Sequence, residues 1–394
     1  MTAVTMTNAI AVKRKLSDCE DDLHEAAIAQ TGLHDFGDPA YRDAFRALLD
    51  GFDTDVKVSE RGLEFVYNYY FLSPLTARLY AEKGWAENPH VLSMPIKKPV
   101  VIIGLPRSGT TALHRLLSMD PQFQGVEFWL AQKPQIRPPR ESWKTNPSYR
   151  AAVAHSTMMI SHMPGMIKAH DILADEVEEC KKALCQSFLR YELAPFLRSY
   201  GRFYQTHSHL AAYRRYADIL RLIGSGEPDR RWLLKENYHM TEMDNLFDIF
   251  PDACIIQTHR DPLKTIPSLC SLWYMLEHAI HGENARPEAI GPREAPFWRK
   301  ALDRADEARR GRASQFFDVD HRDFEADALG TVRSIYRYFG LTLSPLAEQN
   351  MREWIVASPT TKNGPHEYAG DKWGITSTEL RDLYEDYRKE HGFN

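Results

Sequence analysis

The sequence is poor in cysteine and has no long apolar run. Its five cysteines are an odd number, and no two have the close spacing of a zinc or redox motif, so we interpret them as reduced structural residues. The segment Met1 to Lys15 lacks the apolar core of a secretory signal, and no other stretch approaches the roughly 18 apolar residues that span a bilayer. The sequence therefore predicts no membrane span and a cytoplasmic location.

An excess of basic residues is also absent. The formal net charge is -5 and 26% of the residues are charged, which gives a nucleic-acid partner no electrostatic support. Any anionic ligand must then be held by a local site. The 394 residues, 43% of them hydrophobic, are enough for one large α/β domain with an added segment or for two domains.

The N-terminal part of the chain predicts a helical preface. From Asp18 to Ala81, apolar residues recur at helical spacing. The closely spaced Pro89 and Pro95 discourage helix and indicate a linker into the next unit. We therefore expect a tail and helical preface over residues 1–98 and a second unit over residues 99–394.

Four short apolar runs predict a buried sheet. Val100 to Gly104 reads Val-Val-Ile-Ile-Gly, which fits a strand that is buried on both faces. Stretches of helical periodicity separate the runs, and strands joined by helices form a mainly parallel sheet whose ligands bind outside the carboxyl ends of the strands. The loops after the first three strands are thus expected at one site. The four runs are 100–104, 232–234, 254–257 and 316–319.

Residues 128–227 carry no strand signal. The stretches Ala174 to Tyr200 and His209 to Ile223 have helix-like patterns instead. We expect a helical insertion here, which either forms part of a ligand pocket or serves only for packing.

The strongest local signal is the segment Gly104 to Thr111, which reads Gly-Leu-Pro-Arg-Ser-Gly-Thr-Thr between a predicted strand and the helical run Ala112 to Ser118. A strand, a glycine-bearing turn and a helix start together present backbone N–H groups and the positive end of a helix dipole to a phosphate. The alternative is a strand-to-helix turn that happens to contain glycine. The match in both motif and setting favours an anion site.

The loop lacks the lysine of a nucleoside triphosphatase. The spacing from Gly104 to Gly109 is that of the triphosphatase loop, but Thr110 stands where that loop needs lysine. This departure argues against chemistry on a nucleoside triphosphate. The cation here is Arg107, inside the loop, whose fork of donors can hold a bridging oxygen or a transferring group.

This loop resembles that of the sulfotransferase superfamily, in which lysine or arginine is followed by Ser-Gly-Thr-Thr. The chain is most similar to the bacterial branch. The resemblance implies a P-loop-type three-layer α/β fold with a central, mainly parallel sheet, and 3′-phosphoadenosine-5′-phosphosulfate (PAPS) as the donor. It also implies which residues wrap the 5′-phosphosulfate end of that donor: Arg107, Ser108, Gly109, Thr110 and Thr111.

A second match lies at the end of the third predicted strand. Arg260 follows the run Cys254 to His259, Asp261 and Pro262 are typical of a helix start, and Ser268 stands eight residues after the arginine. In the sulfotransferase family, an arginine and a serine at this spacing grip the 3′-phosphate. The resemblance therefore implies that role for Arg260 and Ser268, although an arginine and a serine at this spacing are a weak signal alone.

A third match ends the second predicted strand. Lys235 stands where bacterial and tyrosylprotein sulfotransferases have a lysine before a Ser-Pro or Asp-Pro turn, whereas Glu236 and Asn237 depart from that turn. The resemblance implies that Lys235 reaches the sulfuryl group. The alternative is a lysine that extends from a strand end towards solvent.

The acceptor hydroxyl needs a base, and the sequence offers two candidates. Glu127 follows the loop helix near the position of the catalytic glutamate in the tyrosylprotein sulfotransferases. His170 precedes an acidic stretch, and the ordinary imidazole pKa of about 6.5 suits proton transfer near neutrality. Each candidate also has a structural alternative. Glu127 can be an ion-paired or helix-capping carboxylate, and His170 can be a hydrogen-bonded structural imidazole.

His207 and His209 could suggest a metal pair, but no third ligand stands at a convincing spacing, so no metal site is predicted.

The sequence therefore predicts a sulfotransferase that acts on a hydroxyl or amine of a small molecule. A metal ion is not required, because the sulfuryl group carries less charge than a phosphoryl group. Aromatic residues of the helical regions favour an apolar or aromatic alcohol as acceptor, although such a set more often forms core. A kinase-like enzyme and a non-catalytic nucleotide-binding protein are the alternatives. The identity of the acceptor and the formation of a homo-oligomer stay open.

Overall fold

A five-stranded sheet forms the centre of the computed structural model, which describes residues 15–162, 174–357 and 370–393. The strands are β1 (Val100–Gly104), β2 (Phe123–Gln124), β3 (Arg231–Lys235), β4 (Cys254–His259) and β5 (Phe316–Asp320). They pair in parallel throughout, in the order β2-β3-β1-β4-β5. The four predicted strands and the parallel sheet are confirmed. The short β2 is an addition, because two residues give no sequence pattern.

The central strands read as continuous apolar runs because both faces of the sheet are covered. All residues of β1 and β4 are buried, and their alternate side chains enter two separate hydrophobic clusters. The register places Gly104 of β1 opposite Thr258 of β4, and Ile102 of β1 opposite Lys235 of β3. The carboxyl ends of these three strands therefore meet at one edge, and the loops that follow them lie together there.

Helices cover both faces of the sheet and build the parts of the chain outside it. Within the described ranges, no helix is both long and apolar enough to span a bilayer. The helices are α1 (Glu20–Thr31), α2 (Tyr41–Asp55), α3 (Glu60–Val66), α4 (Ser73–Glu87), α5 (Thr110–Leu117), α6 (Phe128–Gln132), α7 (Pro147–His162), α8 (Lys181–Leu184), α9 (Arg198–Thr206), α10 (Leu210–Gly224), α11 (Met243–Ile249), α12 (Pro262–His281), α13 (Ile290–Arg309), α14 (His321–Ala326), α15 (Ala328–Phe339), α16 (Pro345–Ala357), α17 (Ser377–Leu383) and α18 (Glu385–Glu390).

The predicted helical preface is present as α1 to α4, with a π-helical segment at Tyr67–Leu72 between α3 and α4. The preface packs directly against the rest of the chain and does not form a separate unit with its own core. The indole N–H of Trp85 donates to the carbonyl of Asp218 at 3.1 Å, and the amide of Ser59 donates to the carbonyl of Ile280 at 2.9 Å. Side chains of the preface and of one sheet face belong to a single core. The boundary at residue 98 stays a prediction.

The helix expected over residues 174–200 is wrong for most of that stretch. Only α8 and the start of α9 are α-helical there, and Phe188 has a positive φ of 56°. The reason is tertiary, because the amides of Cys180 and Lys181 donate to the carbonyl of Lys235 at 3.1 Å and to the carboxylate of Glu236 at 3.0 Å. These contacts with the β3 tip replace helical hydrogen bonds. The second predicted helix of the insertion is confirmed as α10.

Candidate active site

The loop between β1 and α5 has the backbone geometry of an anion site. Gly104 has a φ of 141°, and a Cβ there would lie 2.3 Å from Oγ1 of Thr258, so only glycine fits. The hydroxyl of Ser108 donates to the carbonyl of Leu105 at 2.5 Å and pairs with Oγ1 of Thr258 at 2.6 Å. Thr110, which is buried, begins α5. The loop is therefore fixed by its own contacts, and the positive end of the helix dipole faces it.

Arg107 connects the loop to the end of β4. Its φ of 72° lies in the left-handed region, which few residues other than glycine adopt. Its Nε donates to Oγ of Ser268 at 3.1 Å, and its carbonyl accepts from Nη1 of Arg260 at 2.9 Å. The structure thus brings together Arg107, Arg260 and Ser268, which the sequence places in two separate motifs.

The helix α12 begins directly after β4, and Asp261 caps its N-terminus. Asp261 precedes α12 and its carboxylate accepts from the amide of Leu263 at 3.0 Å, with Pro262 in the first turn. The predicted cap is confirmed. Nε of Arg388, in α18, also donates to this carboxylate at 3.1 Å. The cap fixes the direction in which Arg260 leaves the strand, and α12 carries Ser268 to the same place.

His259, the last residue of β4, contacts side chains of two neighbouring elements. Its Nδ1 is 3.0 Å from the hydroxyl of Tyr387, and its Nε2 is 2.9 Å from Oδ1 of Asp318 in β5. Burial acts to raise the pKa of Asp318, but hydrogen bonds from His259 and Arg309 hold that pKa well below its usual range. The C-terminal helix α18 and strand β5 therefore stabilise the backbone next to Arg260.

The turn after β3 replaces the expected Ser-Pro or Asp-Pro by a different set of contacts. Lys235 is buried, and its ammonium group contacts the carboxylate of Glu179. The carboxylate of Glu236 accepts from the amide of Tyr238 at 3.3 Å, and Nδ2 of Asn237 donates to the carbonyl of Gly104 at 2.6 Å. The chain continues as a 3-10 helix over Asn237–Thr241. Asn237 thus ties the β3 tip directly to the start of the phosphate loop (Gly104 to Thr111), whereas Glu236 stabilises the turn itself.

A model of the sulfotransferase family matches residues 99–345, which is more than half of the chain and contains all three strand tips. The chain belongs to the sulfotransferase family. The matched range begins one residue before β1, so the family assignment includes the phosphate loop, the β3 turn and the β4 tip.

This sulfotransferase resembles several mycobacterial proteins. It is 35% identical to sulfotransferase STF1 of Mycobacterium tuberculosis, whose crystal structure matches with a TM-score of 0.84 over 95% of this chain and 100% of that chain. The structure of STF9 of Mycobacterium avium is 25% identical, with a TM-score of 0.85 over 94% and 96% of the two chains. The omega-hydroxy-beta-dihydromenaquinone-9 sulfotransferase Stf3 of Mycobacterium bovis is 21% identical over 297 residues, 73% of this chain and 74% of that protein.

Of the two predicted bases, only Glu127 lies among the described residues. Glu127 is buried just before α6, and its carboxylate accepts from Nε and Nη2 of Arg137 at 3.2 and 3.1 Å. Arg137 also donates to Gln124 at 2.7 Å, so Glu127 belongs to an ion-paired network beside β2. His170 lies outside the described residues. The roles of both residues stay predictions.

Four residues around these strand tips were not singled out as site residues by the sequence reasoning. Thr258, Asn237 and His321 each end or follow a predicted strand, and polar residues at the carboxyl ends of parallel strands are a usable signal. A Cβ at Gly109 would lie 3.1 Å from Cδ2 of His321, so this ring borders the phosphate loop. Glu179 follows no strand, and only its contact with Lys235 identifies it.

His239, in the 3-10 helix after β3, is fully enclosed in the protein. Its Nδ1 is 2.8 Å from the hydroxyl of Tyr213, and burial lowers its pKa to about 3. The unfolded chain takes up this proton near pH 6.5, whereas the folded chain does so only near pH 3. Stability should therefore be lost as the pH falls from about 6.5 towards 3.

His239→Asn should make the stability less sensitive to acid, because asparagine can keep a contact with Tyr213 and takes up no proton. Between pH 4 and 6 the slope of the free energy of unfolding against pH should fall by about one proton, or about 1.4 kcal/mol per pH unit. Urea unfolding at several pH values measures this slope. An unchanged slope would show that the buried imidazole does not contribute to acid unfolding.

Proposed function

We propose that this sulfotransferase transfers a sulfuryl group from PAPS to a hydroxyl or amine of a small acceptor. The observation that carries the proposal is the direct contact of Arg107 with both Arg260 and Ser268. A donor with phosphate at its 3′ position and phosphosulfate at its 5′ position needs two anion sites within the span of one nucleotide. The adjoining tips of β1 and β4 supply them.

In this proposal the two ends of the donor bind to different elements. The amides at the start of α5, with Ser108, Gly109, Thr110 and Thr111, hold the 5′-phosphosulfate. Arg260 and Ser268 hold the 3′-phosphate. Thr110 stands in place of the triphosphatase lysine, which together with the family membership favours sulfuryl transfer over a kinase-like reaction.

The reaction is an in-line displacement at sulfur. A bond forms between the acceptor oxygen or nitrogen and sulfur while the bond from sulfur to the bridging oxygen of the donor breaks. The electron pair of that bond leaves with 3′-phosphoadenosine-5′-phosphate (PAP), and the proton of the acceptor goes to a base. Arg107 and Lys235 are the cations proposed to meet the charge on the bridging oxygen and the sulfuryl oxygens. In the proposal, Arg107, Lys235 and the loop amides stabilise this negative charge without a metal ion.

We propose an apolar or aromatic alcohol as the acceptor. A narrow cleft lies between the preface and the insertion. Its walls include the apolar residues Pro74, Ala77 and Ala131 with Tyr69, and also the cations Lys182 and Arg190. It reaches Lys181, two residues from the Glu179 that contacts Lys235. The named substrate of Stf3, a hydroxylated dihydromenaquinone, is an alcohol of this class.

The aromatic residues that the sequence analysis related to the acceptor lie mostly in the core and not in this cleft. Phe128, Trp129, Tyr191 and Tyr200 are buried in the main core. The ring of Phe128 instead supports Lys182 of the cleft wall, whose ammonium lies 5.1 Å from the ring centroid.

A cytoplasmic location is also proposed, and the burial of all five cysteines as free thiols supports it. A homo-oligomer stays a proposal.

The test is transfer of label from sulfur-labelled PAPS into a cell extract incubated with the purified protein, followed by mass spectrometry. We expect a labelled product whose acceptor has gained about 80 daltons, the mass of one sulfuryl group. Magnesium-dependent turnover of ATP without sulfate transfer would favour the kinase-like alternative. Tight binding of PAP with no donor breakdown in any extract would favour a non-catalytic nucleotide-binding protein.

A further inference from the structure

We propose that the acceptor of this sulfotransferase carries an anionic group besides its hydroxyl, and that Lys182 binds this group in the cleft between the preface and the insertion. The inference rests on the proposed function and narrows its substrate class to an apolar or aromatic alcohol that is also a carboxylic acid or a phosphate ester. The observation that carries it is the setting of Lys182, which lines the cleft against two aromatic rings and has no carboxylate partner among the described residues.

The described walls of the cleft carry charge of one sign. Lys181, Lys182 and Arg190 line it, and none of the other described lining residues is acidic. A cleft that combines apolar walls with charge of one sign attracts ligands of the opposite sign. Because the cleft is narrow, it suits the charged end of a molecule better than a whole ring system.

Two of these three cations already have carboxylate partners. Nε of Arg190 donates to Oε1 of Glu192 at 2.8 Å, and the two side chains are 2% and 5% exposed. Nζ of Lys181 lies 3.9 Å from Oε2 of Glu179. Lys182 is thus the lining cation for which the described part of the chain supplies no such pair.

Aromatic rings hold the Lys182 side chain in place. Its ammonium lies 4.4 Å from the ring centroid of Tyr69 and 5.1 Å from that of Phe128. The negative face of a ring attracts a cation, but it does not replace the strong hydrogen bonds that an ammonium group makes with anionic oxygens. The ammonium is therefore positioned in advance and keeps hydrogen-bond donors for an anionic ligand.

The ring of His155 supports this arrangement from the other part of the insertion. It stacks on Phe128 with the two ring centroids 6.3 Å apart. Burial, and after it the charge of Lys182, lower the pKa of His155 to about 4, so its imidazole is neutral near pH 7. The stack therefore fixes the Phe128 ring under Lys182 without adding a charge of its own.

Lys182 lies close along the chain to the residue that contacts Lys235. Its amide donates to the carbonyl of Glu179 at 3.4 Å, so a single turn separates it from Glu179, whose carboxylate contacts the Lys235 ammonium group. Lys235 is proposed to meet the sulfuryl group, whereas the phosphates of the donor are proposed to bind at the tips of β1 and β4. One helical turn advances about 5 Å. One small molecule can therefore place its hydroxyl at Lys235 and its acid group at Lys182.

The test uses the purified full chain, sulfur-labelled PAPS and a cell extract that anion exchange has separated into a neutral and an anionic fraction. We expect the wild type to label acceptors of the anionic fraction. Lys182→Met keeps the apolar stem of the side chain and removes its charge, so the labelling rate of the diluted anionic fraction should fall about 10- to 100-fold. Part of the rate should return at high concentration of the fraction, because the lost contact raises KM. The affinity for PAP, measured by calorimetry, should be unchanged.

Lys133→Met is the matched control. The ammonium of Lys133 also lies over an aromatic ring of the preface, 5.4 Å from the ring centroid of Tyr80, but Lys133 is not one of the described residues that line the cleft. This variant should label both fractions as the wild type does. Lys182→Arg keeps a cation and should retain most of the labelling of the anionic fraction.

Pretreatment of the extract with alkaline phosphatase, which is removed before PAPS is added, distinguishes the two kinds of acid group. Loss of labelling identifies a phosphate ester, and continued labelling identifies a carboxylate. Wild-type labelling confined to the neutral fraction, or an unchanged rate of Lys182→Met on the anionic fraction, would overturn the proposal. Loss of PAP affinity in Lys182→Met would also overturn it, because Lys182 would then act on the donor. A wild-type protein that labels neither fraction would contradict the proposed function itself.

Discussion

Arg107→Ala should reduce sulfuryl transfer about 1000-fold while most of the nucleotide affinity remains. A fixed cation that meets charge as it develops on the leaving oxygen typically contributes 100- to 1000-fold in rate, or about 3 to 4 kcal/mol. Binding depends less on this side chain, because the loop amides, Arg260 and Ser268 still hold both phosphates. The effect should therefore appear in kcat and leave the Kd for PAP within about tenfold.

The backbone of Arg107 supplies a control for this experiment. Its φ of 72° costs the fold a small amount of free energy for any residue with a Cβ, so alanine should leave the stability close to that of the wild type. Arg107→Gly relieves that cost and also removes the cation, so it should be as inactive as the alanine variant and at least as stable. Substantial transfer by either variant would exclude Arg107 from the reaction.

Arg260→Ala should weaken PAPS and PAP binding together, by about 10- to 100-fold. A hydrogen bond to a charged group contributes about 1.5 to 3 kcal/mol, and the arginine fork can make two such bonds to one phosphate. The substitution also removes the donor to the carbonyl of Arg107, which lies at 2.9 Å, so the phosphate loop loses one of its supports.

Calorimetric titration of PAP measures this loss of affinity. Titration of a nucleotide without a 3′-phosphate shows whether the lost contact was to that phosphate. Adenosine-5′-phosphosulfate lacks the 3′-phosphate, so the wild type should bind it more weakly than PAPS and Arg260→Ala should change its affinity little. An equal loss for both nucleotides would show that Arg260 acts through the loop and not on the 3′-phosphate. Unchanged affinity for PAP would refute the 3′-phosphate site.

The sequence by itself determined those features of this sulfotransferase that depend on residues adjacent along the chain. The apolar run at Val100–Gly104, the glycine-bearing loop after it and the capped helix start at Asp261 are local patterns, and each occurs in the structure as predicted. Parallel strands align their carboxyl ends, so these local patterns were enough to predict that the strand tips share one edge of the sheet.

Only the tertiary structure decided which other side chains reach that edge. The apolar spacing of residues 174–200 predicts helix, but hydrogen bonds to the β3 tip hold the chain in turns and deliver Glu179 to Lys235 across 56 residues of sequence. Asn237 contacts Gly104 across 133 residues for the same kind of reason. Such contacts depend on where two distant segments lie in space, and residue spacing along one chain carries no record of that distance.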